Sequence, residues 1–323
     1  MPGKGTNDPS RGNGRGGAVT AADHPEKIRN VALVGRSGAG KTMLSEALLQ
    51  ATGVINRMGS IVDGTTVSDS DPAEVHQQRS VTLSVLPLPV GDVKVNLLDT
   101  PGYGDFIGDV RAGLRAADAA LFAVSAVDGV DAATTALWEE CERIGMPRAV
   151  VISRIDHPRA NYEGVLAACQ DAFGAAVLPL YLPIRTGTAI TGVLGLLSQT
   201  VSDYSGGGPR PDNRPANDGE RAEAEAPRGE LIEGIIAESE DETLMDRYLG
   251  GEDIAFDTLV ADLEIAVARG SFYPVLATSA EAGVGMAELL EVLVGAFPSP
   301  VEREVPAVTD LNGNPAGPLS PDP

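Results

Sequence analysis

Only two cysteines, Cys141 and Cys169, occur in 323 residues. A disulfide framework needs more cysteines at better spacing, so both read as reduced thiols on helical segments of a cytosolic chain. No apolar run reaches the roughly 18 residues that suggest a membrane span. The opening stretch, Met1 to Asp8, also lacks the apolar run of a secretory signal. Together these give the expectation of a cytoplasmic location. Basic residues are outnumbered, 24 against 46 acidic, for a net charge of −22. That balance argues against broad nucleic-acid binding, so free DNA is not an expected partner. It suits an acidic face that meets a basic partner.

Hydrophobic residues make up 43% of the chain, enough for a sizeable core. Residues 34–42, Val-Gly-Arg-Ser-Gly-Ala-Gly-Lys-Thr, fit the phosphate-loop pattern G-x-x-x-x-G-K-[ST]. An apolar segment, Val31 to Val34, precedes the loop and reads as a buried strand. Met43 to Ala51 follows, rich in helix formers, with Gly53 as its stop. Gly35, Gly38 and Gly40 let the backbone amides approach phosphate oxygens, and the following helix points its positive end at the same anion. Lys41 adds a full charge, and the Thr42 hydroxyl is placed to ligate Mg²⁺. The chain is therefore expected to bind a nucleotide triphosphate.

Val93 to Leu98 alternates as a strand and ends at Asp99-Thr100-Pro101-Gly102. An acid at the carboxyl end of a parallel strand sits at the nucleotide edge of an α/β sheet, where Asp99 would hold the Mg²⁺ shell. Gly102 offers a backbone N–H to a γ-phosphate. Further strands read at Leu121–Ala126, Ala149–Ile152 and Pro274–Ala277, with helices at Ala132–Ile144, Asn161–Phe173 and Met286–Val294. This alternation predicts an α/β fold: a three-layer phosphate-loop domain with a mainly parallel sheet and an inserted α/β subdomain.

Less regular stretches set the expected domain plan. Residues 1–26 read as a disordered tail, and 53–79 as a functional loop leading into Arg79-Ser80-Val81-Thr82. Thr82 reads equally as a Mg²⁺ ligand of a nucleotide-sensing loop or as an ordinary strand threonine. Residues 205–228 read as a flexible acidic linker. The 229–262 segment carries 11 acids against one base, Arg247. The expected plan is a nucleotide-binding domain over 27–159 and 271–300, an insertion over 160–270, and a linker over 301–323.

The phosphate loop, Arg79-Ser80-Val81-Thr82-Leu83, Asp99-Thr100-Pro101-Gly102-Tyr103-Gly104-Asp105-Phe106 and Phe297-Pro298-Ser299-Pro300 together resemble the translational GTPases. The resemblance is closest to elongation factor G, in particular to its divergent actinobacterial paralogues. It implies the nucleotide-binding fold above, GTP and GDP as ligands, Mg²⁺ as cofactor, the ribosome as partner and a monomeric chain. Gly35, Arg36, Ser37, Gly38, Ala39, Gly40, Lys41 and Thr42 would hold the phosphates, with Asp99, Thr100, Pro101 and Gly102 beside them. Thr42, Thr82 and Asp99 would serve the metal. Ser153, Arg154 and Asp156 would read guanine with Ser279 and Ala280, Asp156 accepting from the ring N–H and exocyclic amine. Catalysis would rest on Lys41, Gly102 and position 103. The acidic 229–262 region would face the large-subunit stalk, and the linker after Pro300 would lead toward a second domain.

The chain departs from that family's pattern at three positions. Tyr103 stands where a water-positioning histidine is usual, which implies slow or absent hydrolysis, or a module that acts by binding alone. Ser153 replaces the usual asparagine of the base-reading motif and should lose its hydrogen bond to the base and its brace on the phosphate loop, worth about 1–2 kcal/mol. Ser80 replaces a glycine. An ATP-dependent enzyme on the same fold is a third reading, behind the enzyme and the binding module.

Overall fold

A computed structural model describes residues 22, 24–207, 210–303 and 308–316. Most of the expected 1–26 tail, and part of the 301–323 segment, lie outside these residues. In chain order the first half runs β1 (Ile28–Val34), α1 (Lys41–Ala51), α2 (Pro72–Gln77), β2 (Ser84–Val90), β3 (Val93–Asp99), α3 (Ile107–Ala116), β4 (Ala119–Ser125), α4 (Ala132–Glu142), β5 (Arg148–Ser153) and α5 (Tyr162–Phe173). The second half runs β6 (Val177–Pro179), β7 (Tyr181–Thr186), β8 (Ala189–Gly195), β9 (Thr200–Asp203), β10 (Asp212–Pro215), α6 (Asp218–Ala237), α7 (Thr243–Leu249), α8 (Phe256–Arg269), β11 (Tyr273–Ala277) and α9 (Met286–Gly295).

Seven strands form one sheet in the order β2-β3-β1-β4-β5-β11-β6. Every pairing is parallel except that of edge strand β2 with β3. Both faces are covered, as β1 illustrates. Val31 and Leu33 enter one core with Leu44 and Leu48 of α1 and Leu289 and Leu293 of α9. Ala32 and Val34 enter the other with Val110 of α3, Trp138 of α4 and Cys169 of α5. A strand buried on both sides has no polar face, which is why the central strands read as continuous apolar runs. The three-layer α/β fold expected from the sequence is present.

β7 to β10 form a separate antiparallel sheet in the order β10-β9-β8-β7, and α6, α7 and α8 follow it. A buried bond ties this unit to the main body: the Tyr204 hydroxyl donates to Glu288 Oε2 of α9 at 2.6 Å.

The structure differs from the sequence expectation in three places. The 205–228 stretch is not a linker: its described part contains β10 and the first half of α6. Asn217 caps α6 by accepting from the Glu220 N–H while Glu220 reaches back to the Asn217 N–H. The Ala/Glu-rich run that follows is a good helix former, so its low complexity reflects helix propensity rather than disorder. The insertion begins near 180 rather than 160, since β6 completes the main sheet beside β11. Finally, the 53–79 loop contains α2, capped by the same device through Asp71 and Glu74.

Candidate functional site

The carboxyl ends of β1, β3, β4, β5 and β11 deliver their loops to one edge of the sheet. β1 runs into the phosphate loop. A Cβ on Gly35 would lie 2.4 Å from the Ala123 carbonyl oxygen, so only glycine fits there. Gly38 and Gly40 adopt φ values of 82° and 83°, the left-handed region that glycine enters freely. Gly40 is the residue before α1, so the helix's free N–H groups face the loop. Ala39 is buried, while Arg36 sits at the rim with its guanidinium 3.9 Å from Asp131.

Lys41 curls back over the loop, donating to the Gly35 and Arg36 carbonyls at 2.7 and 3.1 Å. Burial lowers its pKa to about 8, opposed by Asp99, Asp69 and Asp131. The Ser37 N–H donates to the Gly102 carbonyl at 2.9 Å, which clamps the phosphate loop to the loop after β3. A Cβ at Gly102 would lie 2.5 Å from Ser37 N and 2.6 Å from Lys41 Nζ. Thr100 turns inward and its hydroxyl donates to the Leu33 carbonyl at 2.7 Å. Thr100 and Pro101 are both buried, shaping the loop from behind.

Asp99 is buried at the tip of β3. Its Oδ2 accepts from Ser45 at 3.2 Å, and its Oδ1 is buried with no hydrogen-bond partner. Burial raises its pKa to about 6, with Asp69 adding and Lys41 opposing. A buried carboxylate oxygen without a partner is costly unless something supplies the missing interaction. The Thr42 hydroxyl lies on the same face of α1 as Ser45, one turn away. This donor set of hard oxygens could hold Mg²⁺.

Thr82 is not brought to this place. Its hydroxyl donates to Glu74 Oε1 at 3.0 Å, and its side chain is exposed. Ser80 stands near Thr42 instead, 3.3 Å from hydroxyl to hydroxyl, and donates to Asp69 Oδ1 at 2.7 Å. Two glutamates organise the loop before it. Buried Glu46 accepts from the Gly59 and Val67 amides at 2.7 and 2.6 Å. Glu74 accepts from the Val81 and Thr82 amides at 3.0 and 3.1 Å. Neither glutamate was found by sequence reasoning: the Asp71–Glu74 capping pair has a short-range signature, but the distant amides that Glu46 and Glu74 accept from have none.

Ser37, Lys41, Thr42, Asp69, Arg79, Ser80, Gly102, Tyr103 and Arg154 line one cleft of about 360 Å³. At its far side Arg154 adopts φ 57° and donates to the Gly38 carbonyl at 3.3 Å. Ser153 corrects the expectation of a lost brace: its hydroxyl donates to the Ala39 carbonyl at 2.6 Å, so the phosphate loop is still tied to β5. Half-buried Asp156 follows on the same loop. The Ile155 N–H donates to the Thr278 carbonyl at 3.4 Å, which sets the 153–156 loop against Ser279 and half-buried Ala280. Ser279 itself is buried and accepts from the Ala282 N–H at 3.2 Å. The structure thus gathers every expected site residue except Thr82 along one edge of the sheet.

A phosphate loop at the end of a parallel strand, faced by a buried aspartate on the adjacent strand, defines a phosphate-loop nucleotide-binding domain. Comparison with known proteins narrows the class. The profile of the elongation factor Tu GTP binding domain matches residues 26–299, and the chain belongs to that family. It is 56% identical over 304 residues to an elongation factor G-like protein of Mycobacterium tuberculosis, covering 94% of this chain and 42% of the relative. A Thermotoga maritima elongation factor G-like protein is 32% identical over 86% of this chain and 39% of its own length. A crystal structure from Thermus thermophilus superposes with a TM-score of 0.79 at 39% identity, covering 86% of this chain and 41% of that one. The chain therefore spans less than half the length of these relatives. It is a guanine-nucleotide-binding domain of the elongation factor G-like type.

Proposed function

We propose that this chain is the nucleotide-binding part of an elongation factor G-like translation factor that binds GTP with Mg²⁺ and hydrolyses it slowly on the ribosome. The observation that carries the reading is Asp99 Oδ1, buried and unpartnered, while Oδ2 accepts from Ser45 on the helix that follows the phosphate loop. In this reading the amides of Gly38, Gly40, Lys41 and Thr42 hold the α- and β-phosphates, the Ser37 and Ala39 amides being taken by the Gly102 and Arg36 carbonyls, and Lys41 and the Gly102 N–H face the outer ones. The metal, held by Thr42 and Asp99, would neutralise charge that develops on the phosphoryl oxygens. Asp156 accepts from the guanine N1–H and exocyclic amine. Adenine lacks that donor pair and would leave the carboxylate unpaired, at a cost of about 1–3 kcal/mol. The Ala280 N–H serves the guanine O6.

Hydrolysis is largely positioning, and Tyr103 offers a phenol where the family resemblance places an imidazole. A second reading, a switch that acts by binding alone, draws on this position and on Arg79 stacked over the Tyr103 ring. Phosphate release measured with and without ribosomes separates the two. Ribosome-stimulated release that Lys41→Ala abolishes supports the enzyme. Release at background in both conditions supports the binding module.

The ribosome and a cytoplasmic location also belong to this proposal, and no helix among the described residues is long and apolar enough to cross a membrane. For the stalk contact the proposed face is the exposed acids of α7 and its flanks, among them Asp241, Glu242, Asp246 and Asp253. Reversing four of them should slow association with ribosomes and flatten its salt dependence. Unchanged association would remove this face from the account.

A further inference from the structure

We propose that Asp69 and Ser80 form the switch side of the divalent-cation site together with Thr42 and Asp99, so that the site is complete while Thr82 is held elsewhere. The inference deepens the proposed metal-dependent nucleotide binding and rests on that reading.

Thr82 has other partners. Its amide and hydroxyl both donate to Glu74 Oε1, which also takes the Val81 amide. Ser80 fills the place opposite α1. A serine has a single proton to give, and that of Ser80 goes to Asp69 Oδ1 at 2.7 Å. The 3.3 Å contact between Ser80 and Thr42 is therefore donated by Thr42. This chain of donors leaves lone pairs free on both hydroxyl oxygens, and cation ligation uses lone pairs. Asp69 and Asp99 are 5% and 2% exposed, and Asp99 Oδ1 has no partner. Lys41 makes its hydrogen bonds to the Gly35 and Arg36 carbonyls and is attracted through space by Asp99 and Asp69, and most weakly by Asp131. Two buried carboxylates opposite one ammonium leave an excess of negative charge, which a hard divalent cation would balance. A metal held this way does not depend on the loop at 81–82 changing position. It would be gripped with a diphosphate as well as with a triphosphate.

Mn²⁺ titration of the whole chain, followed by electron paramagnetic resonance with saturating GDP and again without nucleotide, tests this. Asp69→Asn and Ser80→Gly should each weaken Mn²⁺ binding about tenfold or more, the scale for disturbing the groups that hold and orient a metal's ligands. Thr82→Ala should leave Mn²⁺ affinity with GDP unchanged. Wild-type affinity in Asp69→Asn, or a loss in Thr82→Ala as large as in Asp69→Asn, overturns the proposal. Far-ultraviolet circular dichroism and thermal melting report whether each variant is folded. Should Asp69→Asn fail to fold, Ser80→Gly decides: wild-type Mn²⁺ affinity there overturns the proposal. Absence of GDP binding to the wild type would count against the proposed function, whereas the nucleotide-free Mn²⁺ titration reads the cation site by itself.

Discussion

The guanidinium of Arg79 stacks over the face of the Tyr103 ring, 4.5 Å from its centroid, and both side chains line the phosphate cleft. A cation on an aromatic face is held by the ring's quadrupole, worth about 0.5–1 kcal/mol at an exposed site. Tyr103 is thereby engaged through its face by a cation. Tyr103→His should raise ribosome-stimulated phosphate release by about tenfold or more, the scale of a positioned imidazole. Tyr103→Phe keeps the stack and should leave release unchanged. A histidine variant no faster than the wild type would show that the phenol is not what limits turnover.

The Ser153 brace makes a second expectation. Ser153→Ala removes the 2.6 Å bond to the Ala39 carbonyl. One such bond is worth about 1 kcal/mol, which should lower thermal stability by a few degrees and weaken GDP binding several-fold. Melting with and without GDP measures both effects. Unchanged melting and affinity would show that the loop holds its shape without β5.

Lys41 gives the site a pH dependence. Its pKa in the free protein is lowered to about 8, chiefly by burial. A bound polyphosphate favours the ammonium form and restores the pKa upward. Nucleotide binding at pH 8 should therefore take up protons. Affinity should fall as pH rises through 8, by roughly tenfold per unit well above it. Calorimetry in buffers of different ionisation enthalpy reads the uptake directly. Zero uptake at pH 8 would contradict it.

The glycine at 102 is required sterically. Its absent Cβ would sit 2.5 Å from Ser37 N and 2.6 Å from Lys41 Nζ. Gly102→Ala should displace Lys41 and reduce nucleotide affinity more than tenfold, a loss above about 1.4 kcal/mol. Fluorescent-nucleotide titration checks this, with near-native affinity as the contradicting result.

The cysteines should behave as buried thiols. Burial pushes Cys141 up to about 11 and Cys169 up to about 12. A thiolate is the reactive form, so both should resist alkylation at pH 8 in the native chain and react once it is unfolded. Rapid native labelling of either would contradict the packing around Trp138 and Phe173.

How much of this could be read in the residues alone follows from the range of the interactions. The phosphate loop and Asp99 are legible because their chemistry is carried by neighbours in sequence, on strands that are apolar throughout. The loops at 153–156 and 278–280 are legible only as short motifs, and the bond of Ser153 is not, because it reaches residue 39. The organisation of 53–82 was hidden, since Glu46 and Glu74 act on backbone amides 7 to 21 positions away. Thr82 followed the motif, but Glu74 claims it. The first half of α6 is hidden by composition: a Gly- and Pro-rich stretch runs up to the cap at Asn217.

The central claim is that the loop at 34–42 and the loop at 153–156 together hold a guanine nucleotide. Competition of GDP, GTP and ATP for a fluorescent guanine nucleotide, in Mg²⁺, on wild type and Asp156→Ala, tests it most directly. The expected result is displacement by GDP and GTP at concentrations at least about tenfold below ATP, a preference that Asp156→Ala reduces, as loss of a charged hydrogen-bond partner requires. Equal displacement by ATP in the wild type, or a preference unchanged in Asp156→Ala, would contradict the account.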